Sequence, residues 1–320
     1  MLSNPTDHKN RFAALDLGSN TLRLLVAEPA DSGFTRLHYS QKITRLGERL
    51  HETGSLGEQA MERTLVNIKS IIDSAAKLGP FKIAVTATHA LRAAANAEEL
   101  KKRFRKKLGF DLQVISQERE AAFTLKGAEM VLGDTSTILL FDIGGGSTEF
   151  IYRNGNKNVK SVGTDLGVVR LAETFIKTAP LESQEFCHLT DYLAKKIAGV
   201  AGRLEIKRPF TLAGTAGTIT SIAAMRFNVS PYDPDKINNR AMSVDDIKAL
   251  LDKVGGMTID ERSRIPAISQ GREDLIIPGM GIILAVMHSF GVNQISVSDA
   301  GLLEGVMLSL LDGSVEGTVI

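Results

Sequence analysis

Two stretches of this chain share one hydropathy pattern: an apolar strand ending in Asp, a bend containing Gly, and a second apolar strand. The first is FAALDLGSNTLRLLVAE, bending at Asp16-Leu17-Gly18-Ser19-Asn20-Thr21. The second is TILLFDIGGGSTEFIYR, bending at Asp142-Ile143-Gly144-Gly145-Gly146-Ser147-Thr148. Short apolar runs around the first predict strands over Phe12–Leu17, Leu22–Glu28 and Phe34–Ile43. A helix follows over Gly57–Leu78, with Met61, Leu65, Ile68, Ile72 and Ala75 on one face. Strand Lys82–Thr86, helix His89–Leu108, strand Leu112–Ile115 and a helix from about Gln117 come next. The second half restarts in the same way, with strands Thr137–Phe141, Thr148–Tyr152 and Asn158–Val162. Helices from Asp165 to Glu205, strand Phe210–Ala213, further helices and strand Ile295–Ser298 complete it. Hairpins followed by strand–helix alternation predict an α/β fold with a mixed sheet in each half.

Glycine lets each bend turn tightly, and the bend aims successive backbone N–H groups into one concavity, which suits phosphate. A single Gly-rich hairpin is equally an ordinary turn. Two of them, each opening a half of the same architecture, imply two similar domains facing one another across a phosphate-holding cleft. A length of 320 residues suits two domains. No low-complexity linker separates them, so the boundary is expected within the helix Glu118–Leu132.

Composition narrows the class little. The chain is 43% hydrophobic and 23% charged, as in ordinary globular proteins. A net charge of +1 gives no global attraction to polyanions, and no nucleic-acid partner is expected. The single Cys187 cannot form an intrachain disulfide, and MLSNPTDHKNR lacks an apolar signal core, so a cytoplasmic location is expected. Leu275–Ser298 has no charged residue, but Pro278, His288, Asn293 and Gln294 interrupt it. A buried helix feeding a central strand is expected there, not a membrane span.

Several side chains near these turns suit phosphate chemistry. Ala213-Gly214-Thr215-Ala216-Gly217-Thr218 follows a strand and opens a helix, so Gly214, Thr215 and Gly217 form a third phosphate-type element or a tight strand–helix join. In ISQEREAAF, Glu118 and Glu120 lie in the first turns of a helix, two residues apart, so only one faces a given site. Glu118 is read as a dipole-compensating acid. Glu149 closes the GGGST turn, where an acid beside phosphate is costly unless it handles a metal or a water. Arg92, one turn into a helix, is a surface residue or a planar phosphate fork. The run KKRFRKK, Lys101–Lys107, is a solvated helix face or a patch that captures long polyanions.

Taken in order, LDLGSNTLRLLV, ATHALRAAAN, ISQEREAAF, FDIGGGSTEF, GTAGTITSIAAM, YDPDKI, GREDLIIPG and VSDAGLLEGV make the chain resemble the exopolyphosphatase/guanosine pentaphosphate phosphatase family over about residues 10–312. The resemblance implies two actin-like (ribonuclease H-like) domains: residues 1–126 completed by a C-terminal helix over 301–312, then 127–300, with 313–320 as a tail. It implies Glu120 and Glu149 as the working carboxylates, Arg92 as the phosphate-binding arginine and Arg272 as a second basic position. The expected reaction is Mg²⁺-dependent release of terminal phosphate from inorganic polyphosphate. Gly18, Ser19, Asn20 and Gly144–Ser147 would grip phosphate, Asp142 with Glu149 would hold Mg²⁺, and Glu120 would act as general base. Guanosine pentaphosphate hydrolysis at the same site, or an inactive polyphosphate- or nucleotide-binding sensor, are the alternatives. No membrane partner is expected, and a homodimer stays open.

Departures from the family pattern are Asn238, where many members have His, and Leu303, where many have Arg. The chain also stops soon after VSDAGLLEGV, so weak processivity and good use of short polyphosphates are expected.

Overall fold

The structure of the protein is a computed structural model, which describes residues 11–31, 33–133, 135–155 and 159–320. The polar stretch Met1–Asn10 and the expected strand start at Asn158 lie outside the described residues. The chain forms two compact units: the described residues up to Ser116 together with Leu302–Ile320, and Gln117–Gly301.

In the first unit, β1 (Phe12–Leu17), β2 (Thr21–Ala30) and β3 (Gly33–Ile43) precede α1 (Leu50–Thr53) and α2 (Glu58–Ala75). Then come β4 (Lys82–Ala87), α3 (His89–Ala93), α4 (Ala97–Leu108) and β5 (Gln113–Val114). The second unit contains α5 (Gln117–Leu132), β6 (Thr137–Ile143), β7 (Thr148–Asn154), β8 (Lys160–Thr164), α6 (Val168–Phe175) and α7 (Ser183–Leu204). It continues with β9 (Thr211–Thr215), α8 (Ala216–Arg226), β10 (Ala241–Ser243), α9 (Val244–Gly255), α10 (Ile259–Ser263), α11 (Ile276–Ser289) and β11 (Gln294–Val297). The chain returns to the first unit for α12 (Leu302–Leu311) and β12 (Thr318–Val319).

The sheets repeat one topology. The first runs β12-β4-β1-β2-β3, with β5 beside β4, and the second runs β10-β11-β9-β6-β7-β8. In each, a strand pairs antiparallel with its successor and parallel with a later strand: β1 with β2 and β4, β6 with β7 and β9. Alternation then sends successive side chains to opposite faces. Leu22, Leu24 and Val26 pack with Met61, Leu65 and Ile68 of α2, while α12 lies against β1 and β2. In the second unit Leu139, Phe141, Phe150 and Tyr152 meet the large core built by α6–α9 and α11. Ile138, Leu140 and Ile151 face Ala121, Leu125 and Ala128 of α5. The uncharged segment is α11 followed by β11, and no described helix is long and apolar enough to cross a membrane.

Two local expectations need correction. Ile71, not Ile72, is sealed in the core, because the buried stripe of α2 runs through Met61, Thr64, Leu65, Ile68 and Ile71. The expected helix His89–Leu108 is broken between α3 and α4. There Asn96 Nδ2 donates to the Leu56 carbonyl (2.9 Å) while its Oδ1 accepts the Leu56 N–H (2.8 Å). The helices expected between Asp165 and Glu205 are α6 and α7, with Pro180, which cannot continue a helical hydrogen-bond ladder, between them.

Candidate active site

Strand register sets the row on which the site is built. Asp142 stands opposite Glu149 on β7 and beside Thr215 on β9, and Glu149 in turn stands opposite Gly163 on β8. Directly opposed residues share a face, so Thr215, Asp142, Glu149 and Gly163 form one line across the sheet. It is the face covered by α5. A Cβ on Gly163 would lie 2.6 Å from the Gln117 side chain, so this glycine lets the first turn of α5 rest on β8. Glu120, one turn along, is therefore brought to the same face as Asp142 and Glu149. Glu120 and Glu149 are buried (7% and 4% exposed), whereas Glu118 faces solvent.

The Gly144–Ser147 bend is closed by the Gly144 N–H donating to the Ser147 carbonyl (2.9 Å). Behind it, the N–H groups of Val168 and Val169, at the start of α6, donate to the carbonyls of Gly144 (3.1 Å) and Gly145 (3.0 Å). In a trans peptide the N–H of the next residue points the opposite way. The amides of Gly145 and Gly146 are therefore turned away from α6, together, as an anion cradle requires. Gly167 makes this docking possible: a Cβ there would lie 2.2 Å from the Gly146 carbonyl carbon.

The third element reaches the same edge of the sheet. Thr215 is buried, and its Oγ1 donates to the Ala300 carbonyl (3.0 Å), so its hydroxyl proton is committed to the protein. Gly214 makes room for Ile219, whose Cδ1 would be 2.4 Å from an added Cβ; its glycine serves strand–helix packing. Ala216 adopts φ 73°, a left-handed conformation unusual for a residue with a side chain. At Gly217 an added Cβ would fall 1.6 Å from Nη1 of Arg272, so the guanidinium lies on the start of α8. Asp142, Gly144–Ser147, Glu149, Glu120, Gly214–Gly217 and Arg272 all belong to this one unit.

Gly18, Ser19, Asn20 and Arg92 belong to the first unit. Its bend has the same closure, the Gly18 N–H donating to the Thr21 carbonyl (3.0 Å). The carbonyls of Ser19 and Asn20 accept the N–H groups of Gly47 (2.8 Å) and Thr44 (2.9 Å), which orients their peptides as α6 does in the other copy. The Thr88 N–H donates to the Leu17 carbonyl (3.4 Å), tying the start of α3 to this bend, and Arg92 Nη1 donates to the Ile115 carbonyl (3.0 Å).

The two copies differ where chemistry is decided. Opposite Asp16 stands Arg23, whose Nη2 and Nε donate to Oδ2 at 2.6 and 3.1 Å. Burial works against the Arg23 charge, but Asp16, with Tyr39 and Glu304, holds its pKa above the ordinary value. Opposite Asp142 stands another acid, Glu149. No sequence signal marked this contrast except position, since Arg23 and Glu149 are each seven residues after their Asp. Gly163 and Gly167 were also missed, because their importance lies in contacts made across the fold.

The remaining candidates are more ordinary. Four of the six cations in Lys101–Lys107 are paired: Lys101 with Glu98, Arg103 with Glu58 and Glu99, Arg105 with Asp111, and Lys107 with Glu62. Asn238 Oδ1 accepts the Asp299 N–H (2.7 Å), and Leu303 is buried in the core.

A repeated sheet, each copy closing an Asp-Gly bend whose peptides are held by hydrogen bonds to their carbonyls, defines an actin-like protein that handles phosphate. Residues 25–314 match the model of the Ppx/GppA phosphatase family, and the chain belongs to that family. It is similar to exopolyphosphatase 2 of Mycobacterium tuberculosis, at 27% identity over 315 residues, covering 94% of this chain and 98% of the relative. The crystal structure of the Aquifex aeolicus Ppx/GppA family member is 32% identical, with a TM-score of 0.78, covering 95% of this chain and 98% of that one. An exopolyphosphatase from Cytophaga hutchinsonii is 27% identical, with a TM-score of 0.84 and the same coverages.

Proposed function

We propose that this chain is an exopolyphosphatase that hydrolyses the terminal phosphoanhydride of inorganic polyphosphate. The observation that carries the reading is the Gly144–Ser147 bend, its amides turned outward by α6, set directly beside Asp142 and Glu149. Phosphoryl transfer depends mainly on positioning and charge stabilisation. The bend and Arg272 grip the terminal phosphate, while the Gly18–Asn20 bend and Arg92 are the phosphate-binding candidates of the first unit. Glu120 orients the attacking water and takes its proton. The new bond runs from water oxygen to phosphorus, and the bridging oxygen leaves with the shortened polymer.

A divalent cation suits the donor set. Asp142 and Glu149 set two carboxylates on opposed positions of neighbouring strands. No group of three or more His, Cys, Asp or Glu that could cage a metal exists among the described residues. One or two carboxylates completed by substrate and water is how Mg²⁺ is commonly held. Bound there, Mg²⁺ would neutralise charge on the phosphate oxygens.

The test is phosphate release from long polyphosphate, tripolyphosphate and guanosine pentaphosphate, with Mg²⁺ and with EDTA. Polyphosphate should be cleaved, EDTA should abolish cleavage, and Glu120→Gln should lose roughly 10²–10⁴-fold in kcat while still binding polymer. Release from guanosine pentaphosphate alone would transfer the reading to that substrate. Binding of polymer without release would make the chain a sensor.

A further inference from the structure

Each residue of α5 advances about 100° around the helix axis, which sorts its side chains into stripes. Ala121, Leu125 and Ala128 form the stripe packed on Ile138, Leu140 and Ile151 of the sheet. Glu120 lies about 80° from Ala128, at the edge of that stripe, and Thr124 lies about 40° from each of them. Thr124 therefore stands between Glu120 and the sheet. The two are four residues apart, neighbours one turn along the same helix surface. A helical side chain leans towards the N-terminus, so Thr124 leans over the turn that carries Glu120.

The Thr124 side chain is sealed from solvent at 1% exposure, yet the fold makes no use of its hydroxyl. A helical threonine can donate to the carbonyl three or four residues back. Thr124 Oγ1 does not: it is enclosed and has no hydrogen-bond partner among the described residues. Hydroxyls beside the phosphate bend are committed, that of Thr148 to the Leu166 carbonyl (2.6 Å) and that of Thr215 to the Ala300 carbonyl (3.0 Å). Burying an unpaired hydroxyl is costly, and valine has the same shape without that cost. An uncommitted donor kept one turn from an acid points to that acid as its acceptor.

We propose that Thr124 is a positioning residue for Glu120: in the working complex its hydroxyl donates to one oxygen of the Glu120 carboxylate and leaves the other to take the proton of the attacking water. This rests on the reading of Glu120 as general base. Catalytic hydrogen bonds are often unformed in the free enzyme and tighten when substrate is bound. Donation to a carboxylate is charge-assisted, and here it fixes the acid on the face it shares with Asp142 and Glu149. Glu118 has Ala122 in the corresponding place, with no donor to offer.

The test is steady-state phosphate release from polyphosphate by the full chain carrying Thr124→Val, Thr124→Ser, Glu120→Gln, or Glu120→Gln with Thr124→Val. Thr124→Val should lower kcat about tenfold, the loss expected for one charge-assisted hydrogen bond, with KM within about twofold of the parent. Thr124→Ser, which keeps the hydroxyl, should stay within about threefold of the parental kcat. In the Glu120→Gln background Thr124→Val should change residual turnover by less than about twofold, because the group it positions has gone. Parental kcat in Thr124→Val overturns the proposal. So does an equal fall in Thr124→Ser, which would assign the loss to packing, or an equal fall in the Glu120→Gln background, which would assign it to another group. These results leave the base reading standing if Glu120→Gln alone is impaired. Parental turnover in Glu120→Gln overturns the base reading, and the role of Thr124 with it.

Discussion

Replacing Glu149 by Gln should stabilise the cation-free protein while removing its activity. Asp142 and Glu149 are directly opposed on neighbouring strands, which puts their Cβ atoms about 4.5–5.5 Å apart. Two unit charges about 5 Å apart repel by about 3 kcal/mol at an effective dielectric constant near 20. Allowing for screening and side-chain movement, about 1–2 kcal/mol should be recovered when one charge is deleted and the shape kept. For a domain of this size that is roughly 2–8 °C in Tm. The assay is thermal unfolding of parent and Glu149→Gln in EDTA and in Mg²⁺, beside phosphate release. The parent should gain stability from Mg²⁺ by mass action, and the variant should gain much less. A variant that melts at or below the parent in EDTA, and responds to Mg²⁺ as the parent does, would refute the reasoning. The two acids would then not be in electrostatic opposition.

The equivalent position in the first unit should behave in the opposite sense. Arg23→Met strands the buried Asp16 carboxylate and should cost about 3–5 kcal/mol in denaturant unfolding. Gly167→Ala places a methyl group inside the backbone of Gly145–Gly146. It should cost about 1–3 kcal/mol and depress kcat/KM strongly, with far-UV circular dichroism retained. Ala216→Gly relieves a left-handed alanine, and urea unfolding should show a net gain of about 0.5–1 kcal/mol after the entropy of the added glycine.

What could be read directly from the chain was local. β1 occupies Phe12–Leu17, the apolar run that leads into the first bend, and both Asp-Gly bends fall where glycine and strand ends coincide. The uncharged stretch after Leu275 divides into a helix and a strand because its composition changes character at Phe290. What could not be read was decided by distant contact. Asn96 breaks a helix because Leu56, 40 residues earlier, offers its backbone. The basic run loses much of its charge to Glu58 and Glu62 on α2, residues no local window associates with it. Gly163 and Gly167 look like loop glycines in the sequence, yet one seats α5 and the other seats the phosphate bend. The Asp16–Arg23 pair was visible in principle, since hairpin register follows from the bend, but only once the turn closure was known.

The docking of α6 onto the Gly144–Ser147 bend would give that helix influence over an anion held there as proposed, without touching it. Its first free N–H groups end on the carbonyls of Gly144 and Gly145. The N-terminus of a helix carries the equivalent of about half a positive charge. Each carbonyl that accepts from it is polarised, and the amide on the far side of the same peptide plane becomes a better donor, by about 10–30% per bond on condensed-phase figures. The two peptide planes therefore work as a relay, passing part of the α6 dipole through to the opposite surface of the loop. The strength of the proposed anion grip would then be set partly by α6, eight residues long, whose first N–H groups end on the far side of those two peptides.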